Sequence, residues 1–247
     1  MNYEIYCINL IDRKDRLNRM KNIFNNLGII DQVNFHIVKK HKYGSRYGCF
    51  NSHLECLEKA KSDYIIIFED DCILNTNFIW NDLIKTIDKY FKNPSIEYFS
   101  IGCIPISILP ISLEDNIIKG KFTTTLCYAI KKKTFLRLKN KMLKDIHNIH
   151  IDHFYFTNII NSIGFKKPYF IQNFNDTDNL WTNNLLYEKQ LRDTTTDLYK
   201  KNNLIPRIIT YIGIFFDTTL YELKHYYDYT NILIIVILLF ILFKRNY

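Results

Sequence analysis

The sequence is poor in glycine and proline, and its cysteines are not paired at short spacing. Only 7 glycines and 5 prolines occur in 247 residues, which excludes collagen-like fibres and argues against repeats built on turns. None of the six cysteines forms a Cys-x-x-Cys pair, and no paired cysteine and histidine set suggests a zinc site. Most of the cysteines lie in apolar runs, where a free thiol packs as a small core side chain. We therefore expect free thiols in a reducing compartment.

We also expect no N-terminal secretory signal, because MNYEIYCINL has no positive stretch before a long apolar core. Hydrophobic residues make up 47% and charged residues 23% of the chain, a globular composition that excludes disordered chains and polytopic membrane proteins. The net charge of +8 suits nucleic acid, anionic lipid or a phosphorylated ligand. No helix-turn-helix, zinc-finger or RNA-binding motif is present, so we predict no nucleic-acid partner.

Two segments depart from this ordinary composition. Residues 131–145 carry seven lysines and arginines against one aspartate, which indicates either a solvated helix face or a surface for an anionic membrane or acidic ligand. Residues 232–243 form an unbroken apolar run, ILIIVILLFILF, followed by Lys244 and Arg245. Twelve helical residues rise about 18 Å, short of the ~30 Å hydrocarbon layer. We expect residues 201–247 to form a hydrophobic helical tail that attaches to a membrane, with a buried core helix as the alternative.

Hydrophobic periodicity predicts alternating strands and helices over residues 1–200, which we interpret as one catalytic domain. Gly28 is placed to end the first helix, and Ser52 with Glu55 fits a capping box at the start of the second. Alternation of this kind favours an α/β domain with a largely parallel sheet flanked by helices. The expected strands are 3–10, 33–38, 64–68, 97–101, 122–130 and 168–172; the expected helices are 13–27, 51–60, 78–91, 131–145 and 151–163; residues 104–113 are expected to be irregular.

Three adjacent carboxylates, Glu69, Asp70 and Asp71, follow the apolar run YIIIF. Neighbouring carboxylates repel one another and lose hydration when buried, so fold stability does not explain their gathering. At the carboxyl end of a parallel strand they would face the crevice in which open α/β sheets bind ligands. A hard divalent cation, Mn²⁺ or Mg²⁺, would neutralise them and bridge to a diphosphate. The alternative is a solvated acidic turn that caps the next helix.

Arg13 and Arg16 follow the first strand and are expected in the same crevice. Arginine suits bidentate recognition of phosphate, although both residues could equally face solvent on the first helical turn. His53 is either a contact for a ligand or a structural histidine near a helix start.

Asp152 lies in the apolar and aromatic segment HIDHFYF, where a carboxylate is a candidate general base. His150 and His153 beside it would also suit a metal, but no other feature supports zinc there. Asp176 and Asp178 either close the site or form a turn.

Five segments occurring in this order resemble glycosyltransferase family 25, the group that contains lipooligosaccharide and procollagen galactosyltransferases. They are INLIDRKDRL (8–17), GCFNSH (48–53), IIIFEDDCIL (65–74), TTTLCYAIKKKTFLRL (123–138), and IDHF with PYFIQ (151–154 and 168–172). The resemblance ends near Tyr187, and the acidic pair at Asp176 and Asp178 does not align with the family pattern.

The resemblance implies a GT-A-like, Rossmann-type fold, a UDP-sugar donor and, commonly, Mn²⁺ or Mg²⁺. It implies metal ligands at Glu69 and Asp71 and a catalytic base at Asp152. It implies donor contacts at Asn9, Arg13, Arg16, His53 and Asp70.

The predicted activity is therefore metal-assisted, inverting transfer of a hexose, galactose or glucose, from a UDP-sugar to a hydroxyl of a glycan, a lipid-linked saccharide or a protein. The alternative is a catalytically inactive relative that acts as a membrane-associated binding protein. With a tail anchor and no leader, we expect the catalytic domain on the cytosolic side of a membrane, or otherwise in the cytoplasm.

Overall fold

A computed structural model describes residues 1–114, 117–165 and 168–173 of the chain. Within these ranges strands and α-helices alternate, with one short 3₁₀ turn at Ile30–Gln32. In chain order they are β1 (Tyr3–Leu10), α1 (Lys14–Asn26), β2 (Val33–Val38), α2 (Ser45–Lys59), β3 (Tyr64–Glu69), β4 (Cys72–Leu74), α3 (Trp80–Phe91), β5 (Tyr98–Ser100), β6 (Ile104–Glu114), β7 (Ile117–Thr123), β8 (Cys127–Lys131), α4 (Lys132–Asp145), α5 (Ile151–Asn158), β9 (Ser162–Phe165) and β10 (Phe170–Gln172).

Eight of these strands form one sheet in the order β2-β1-β3-β8-β5-β9-β7-β6, and β4 pairs with β10 separately. Strand β1 is parallel to both β2 and β3, and β5 is parallel to β9. Strands β7 and β8 run against the other six. The sheet is thus mixed but mostly parallel in direction, as the alternating pattern predicted.

The parallel strands β1, β2 and β3 bring their carboxyl ends to one edge of the sheet. The register pairs Leu10 with Val38 and Ile8 with Glu69, so these three strands end side by side. Antiparallel β8 lies next to β3, and Phe68 pairs with Cys127 at the start of β8. The residues that precede β8 therefore reach the same edge, where ligands bind in open α/β sheets.

Helices cover both faces of the sheet. One buried cluster joins α1 and α3 to Ile66 and Phe68 of β3, and the other joins α2, α4 and α5 to Ile65 and Ile67 of the same strand. Because alternate side chains of a strand point to opposite faces, β3 is apolar on both. This double burial explains the continuous apolar run that made β3 recognisable in the sequence.

The start of α2 differs from the prediction. The helix begins at Ser45, ahead of the predicted start at Asn51, and it follows Gly44, whose φ of 92° favours glycine. Ser52 lies inside the helix, and its hydroxyl donates to the carbonyl of Gly48 at 2.7 Å. The predicted capping box is therefore wrong, and Gly48, Cys49, Ser52 and His53 all lie on one continuous helix.

The segment expected to be irregular is a strand. Residues Ile104–Glu114 form β6, which pairs antiparallel with β7 through three register shifts. Strand β6 is the last of the sheet, and proline is tolerated on an edge strand because it removes no hydrogen bond from a central ladder. Pro105 and Pro110 therefore misled the prediction.

The helix predicted over 151–163 is also shorter than expected. Helix α5 ends at Asn158, and β9 follows at Ser162–Phe165. A Cβ on Gly164 would lie 2.6 Å from the Cβ of Ser100, so glycine allows β9 to pack closely against β5. Helical spacing in the preceding residues concealed this short strand.

The basic segment consists of Lys131, the last residue of β8, and helix α4, and two of its lysines bind helix ends inside the fold. The Lys132 ammonium donates to the carbonyls of Leu57 and Ala60 at 2.6 and 2.5 Å, where α2 ends. Lys131 donates at 2.6 Å to the carbonyl of Asn93, just beyond α3. Cations at helix carboxyl ends satisfy the last carbonyls and the helix dipole. These two lysines therefore neither form a purely solvated face nor remain available to an acidic partner, which were the two predicted alternatives.

The predicted tail at 201–247, together with Asp176 and Asp178, lies outside the described residues. In the ranges that the structure does describe, no helix combines the length and the apolar character needed to cross a membrane.

Candidate functional site

The acidic triplet forms the connection between two paired strands. Glu69 ends β3, Asp70 and Asp71 make the turn, and Cys72 begins β4. Strand β4 pairs with β10, in which Gln172 lies opposite Cys72. The Asn173 amide also donates to the Asp71 carbonyl at 2.9 Å. The turn is thus held at the carboxyl edge of the parallel strands, as the sequence predicted.

Asp70 is committed to a buried ion pair. Its Oδ1 accepts a hydrogen bond from Arg16 Nη1 at 2.9 Å, and its Oδ2 accepts the backbone N–H of Leu10 at 3.3 Å. The Asp70 and Arg16 side chains are 9% and 3% exposed. Burial raises the pKa of Asp70, and the Arg16 guanidinium acts against that shift. The pair joins the end of β1, the start of α1 and the acidic turn.

Asp71 is buried without full compensation. Its Oδ2 accepts a hydrogen bond from Gln172 Nε2 at 2.9 Å, while its Oδ1 is buried with no hydrogen-bond donor. Burial, followed by the negative charge of Glu69, raises the pKa of Asp71 to about 7. An uncompensated buried carboxylate oxygen is costly to a fold, and a cation would satisfy it.

Glu69 accepts hydrogen bonds from two neighbouring elements. Its Oε1 lies 3.2 Å from His53 Nε2 on α2 and 2.5 Å from the Thr125 hydroxyl, which precedes β8. Burial favours a raised pKa for Glu69, but the hydrogen bond and charge of His53 and the Thr125 hydroxyl lower it below its usual value. Glu69 is therefore an oriented carboxylate.

A chain of buried hydrogen bonds extends from Glu69 to α5. His53 Nδ1 lies 2.8 Å from the Tyr128 hydroxyl, which lies 3.1 Å from the Tyr155 hydroxyl. The imidazole also stacks on the Tyr128 ring at 5.7 Å between centroids. The ring of His53 is therefore fixed in both position and tilt.

Asp152 lies in the first turn of α5, the helix that also carries Tyr155. Its Oδ2 accepts the Thr123 hydroxyl at 2.9 Å and the Thr124 amide at 3.4 Å, and its Oδ1 accepts the His153 amide at 2.8 Å. These bonds hold a half-buried carboxylate in place, as a positioned base requires.

Asn9 is the next-to-last residue of β1, and Arg13 follows the strand. Asn9 is buried, and its Nδ2 donates to the carbonyls of Leu10 and Arg13, whereas its Oδ1 is buried without a donor. Arg13 donates to both carboxylate oxygens of Asp15 at 3.0 and 2.8 Å. The buried acceptor of Asn9 is thus the second oxygen at this edge that lacks a donor.

A cysteine that the sequence did not single out lies at the same place. Cys49, His53 and Glu69 offer one sulfur, one nitrogen and one oxygen that all lie within 4.8 Å of one another, the one such trio found in the described ranges. Burial, and after it the charges of Glu69, Asp152 and Asp71, raises the pKa of the Cys49 thiol well above its ordinary value. Glu69, Asp71 and Asp152, which are all predicted site residues, therefore all raise the pKa of the Cys49 thiol.

No protein family model matches this chain, and no curated protein matches it. Solved structures resemble it only distantly. A glycosyltransferase involved in the glycosylation of the major capsid of PBCV-1 is 12% identical, with 72% of this chain and 95% of that chain covered and a TM-score of 0.40. A UDP-glucose pyrophosphorylase complexed with UDP-glucose is 14% identical, with 69% and 74% covered and a TM-score of 0.40. A Drosophila galactosyltransferase in complex with manganese, UDP-Gal and xylobiose is 11% identical, with 56% and 52% covered and a TM-score of 0.34.

Enzymes that handle nucleotide sugars are thus among the distant neighbours of this chain, but likenesses this weak assign neither an activity nor site residues. Membership of glycosyltransferase family 25 stays a prediction.

The structure brings Glu69, Asp70, Asp71, His53, Asn9 and Arg16 to one edge. Asp152 lies on α5, whose Tyr155 is linked to His53 through Tyr128. Sequence reasoning missed Cys49, Thr125 and Gln172. Only Cys49 carried a usable sign, because its spacing of four from His53 places both residues on one face of a helix. Thr125 and Gln172 reach the site through β8 and β10, and this pairing is not visible in the sequence.

Proposed function

We propose that the protein is a glycosyltransferase of the family 25 type, which moves a hexose, galactose or glucose, from a UDP-sugar to a hydroxyl of a glycan, a lipid-linked saccharide or a protein. One observation supports this most directly: the buried Asp71 Oδ1 has no hydrogen-bond donor although it lies beside a second carboxylate at the ligand-binding edge of an α/β sheet. A cation that binds at this oxygen would offset the cost.

The residues fit a hard divalent cation, Mn²⁺ or Mg²⁺. Asp71 supplies an oxygen without a donor, and Glu69 supplies an oriented carboxylate whose pKa is held below its usual value. Carboxylate oxygens are the ligands that both cations prefer. When bound, such a cation neutralises charge on a leaving diphosphate. We assign Glu69 and Asp71 to hold it.

The donor nucleotide is assigned to the end of β1 and the start of α1. The buried Asn9 oxygen suits a ribose hydroxyl or a base N–H, and Arg13 lies beside it at the edge. Arg16 and Asp70 are hydrogen-bonded to each other in this region, and His53 is hydrogen-bonded to Glu69 and Tyr128. We propose that the nucleotide-sugar is positioned by Asn9, Arg13, Arg16, Asp70 and His53.

Asp152 is the proposed base. Its carboxylate accepts the proton of the acceptor hydroxyl as that oxygen forms a bond to the anomeric carbon of the donor sugar. The bond from the anomeric carbon to the β-phosphate oxygen breaks, and UDP leaves with the electron pair. Attack opposite the leaving group inverts the anomeric configuration.

The first test is UDP release from a panel of UDP-sugars, with and without Mn²⁺. We expect one sugar to support release, a chelator to abolish it, and Asp71→Ala to reduce it about 100-fold or more, the scale of losing a group that stabilises developing charge. Asp145→Ala, a change at the end of α4, should leave the rate unchanged. If folded protein released no UDP from any sugar of the panel, this result would contradict the proposal.

The role of Asp152 has its own test. Asp152→Asn keeps the shape and can still accept the Thr123 hydroxyl, but the amide is a poor base, so we expect kcat to fall about 10²–10⁴-fold with donor binding retained. Equilibrium binding of the UDP-sugar separates the two effects. Transfer at the full rate would exclude Asp152 as the base.

We further propose that residues 201–247 attach the enzyme to a membrane surface and leave its catalytic domain on the cytosolic side. The support is the apolar run 232–243 with its flanking tyrosines and Lys244 and Arg245. Sedimentation with vesicles, compared between the full chain and a chain ending at residue 200, tests this; equal sedimentation would contradict it.

A further inference from the structure

Three side chains of different chemistry converge next to the acidic turn. Cys49 and His53 are four residues apart on α2, and Glu69 comes from the end of β3. Their sulfur, nitrogen and oxygen atoms lie within 4.8 Å of one another. A metal ion bonded to all three at 2.0–2.3 Å brings its ligand atoms to separations of roughly 3–4 Å, so small rotations of the side chains close this site.

The imidazole of His53 is held as a metal-binding histidine is held. Metal-ligating histidines use one ring nitrogen for the ion and the other for an orienting hydrogen bond. His53 Nδ1 has the Tyr128 hydroxyl at 2.8 Å, and this hydroxyl in turn has Tyr155 at 3.1 Å. His53 Nε2 faces Glu69 at 3.2 Å, so an ion can replace the proton that these two groups share.

The same geometry disfavours a nucleophilic cysteine. A cysteine nucleophile needs one imidazole nitrogen as its base and a carboxylate on the other nitrogen. Here His53 Nε2 faces Glu69, and the other ring nitrogen, Nδ1, is hydrogen-bonded to Tyr128 and not to Cys49. The arrangement therefore places thiol, imidazole and carboxylate around a common point and not in a relay.

Local charge also favours a cation. Asp71 and Asp152 act on the Cys49 thiol together with Glu69, whereas the buried Arg16 guanidinium is bound to Asp70. Negative groups thus collect around Cys49 and His53.

We propose that Cys49, His53 and Glu69 bind Zn²⁺. A thiolate and an imidazole select zinc over the hard cations Mg²⁺ and Mn²⁺, so this site differs in chemistry from the oxygen-only site assigned to Glu69 and Asp71, with which it shares the Glu69 carboxylate. Three protein ligands leave one tetrahedral position for water or a substrate oxygen. Zinc would hold the Glu69 carboxylate in one orientation at the edge of the site. The binding itself requires only these three side chains and does not depend on sugar transfer.

Cobalt substitution tests the ligand set directly. The full-length protein, freed of metal by a chelator, is titrated with Co²⁺ while near-ultraviolet and visible absorption are recorded. We expect one equivalent of Co²⁺ to produce a thiolate-to-cobalt charge-transfer band with intense tetrahedral visible bands, and one equivalent of Zn²⁺ to abolish them.

Matched variants identify the residues. Cys49→Ser should remove the charge-transfer band, and Glu69→Gln should weaken Zn²⁺ binding at least 10-fold in competition with a chromophoric chelator. Cys56→Ser, a change at a buried cysteine on the same helix, should keep the band, and so should Asp71→Asn. No band from folded wild-type protein, or a band that survives Cys49→Ser, would overturn the proposal.

A measurement on the wild type avoids the risk that a variant fails to fold. Cys49 is half-buried as a residue, whereas the other five cysteines are buried, so alkylation of native protein should label Cys49 before them, although its raised pKa slows the reaction. Zn²⁺ should slow this labelling at least 10-fold, and Mg²⁺ should not. Equal labelling with and without Zn²⁺ would overturn the proposal while leaving the UDP-release test unaffected.

Discussion

The acidic turn and the basic segment 131–145 each concentrate charge of one sign, and the fold treats them in opposite ways. Lys131, the last residue of β8, and Lys132, the first of α4, donate to backbone carbonyls beside the ends of α3 and α2. In the turn, Asp70 is matched by Arg16, but Asp71 keeps a buried oxygen without a donor. Both regions concentrate one sign of charge, and only the acidic region leaves it partly unsatisfied.

This difference separates structural charge from functional charge. A cation that binds the end of a helix completes hydrogen bonds that the helix itself leaves open, so α4 stabilises the fold. An anion that remains buried without a donor costs stability, and such costs cluster at sites that bind ligands. The charge density of a segment in the sequence does not distinguish the two cases.

The largest effect should come from breaking the Arg16–Asp70 ion pair of the acidic turn. Arg16→Met leaves the Asp70 carboxylate buried without its partner, and we expect a loss of about 3–5 kcal/mol in unfolding free energy. Denaturant unfolding measures it, and Lys14→Met, an exposed change on the same helix, is the control. Adding Asp70→Asn to Arg16→Met should recover part of the loss; a simple sum of the two losses would show that the residues do not act as a pair.

A smaller effect should come from the uncompensated carboxylate. The pKa of Asp71 is about 7 in the fold and about 3.9 when unfolded, so the folded state binds the extra proton between these values. Its contribution to stability is therefore complete below about pH 4 and is lost as the pH rises through 7. Without metal, the stability advantage of Asp71→Asn over the wild type should be larger at pH 8 than at pH 5, by about 2–3 kcal/mol.

Thermal unfolding at both pH values, with chelator present, gives the comparison for Asp71→Asn. Adding Mn²⁺ at pH 8 should raise the midpoint of the wild type and not that of the variant. A stability difference that does not change with pH would remove Asp71 as the uncompensated charge.

The smallest effect should come from the basic helix. Lys132→Met removes the donor to Leu57 and Ala60, and we expect a loss of about 1–2 kcal/mol. UDP release by the folded variant should stay unchanged. Lys141→Met, an exposed change on the same helix, should change stability by less than about 0.5 kcal/mol. Equal effects of the two changes would mean that Lys132 does not stabilise the end of α2.

Local pattern predicted much of the fold. The bounds of β1 and β2 agree with the prediction, and β3 and α3 differ from it by one or two residues, because each carries its own apolar pattern. The predictions failed where the bounds of an element depend on pairing with another strand or on a backbone conformation that favours glycine. Strand β6 is a strand because it pairs with β7, and α2 extends to Ser45 because Gly44 adopts a positive φ.

The sequence by itself determined the alternation of strands and helices, the buried run of β3 and the position of Glu69, Asp70 and Asp71 at its end, because these follow from periodicity and burial along one stretch of chain. Only the tertiary structure decided which of the three carboxylates is paired, that Cys49 and His53 meet Glu69, and that two lysines of the basic segment bind helix ends. These outcomes depend on contacts between residues far apart in the chain, and such contacts exist only once the sheet and its two helical layers have assembled.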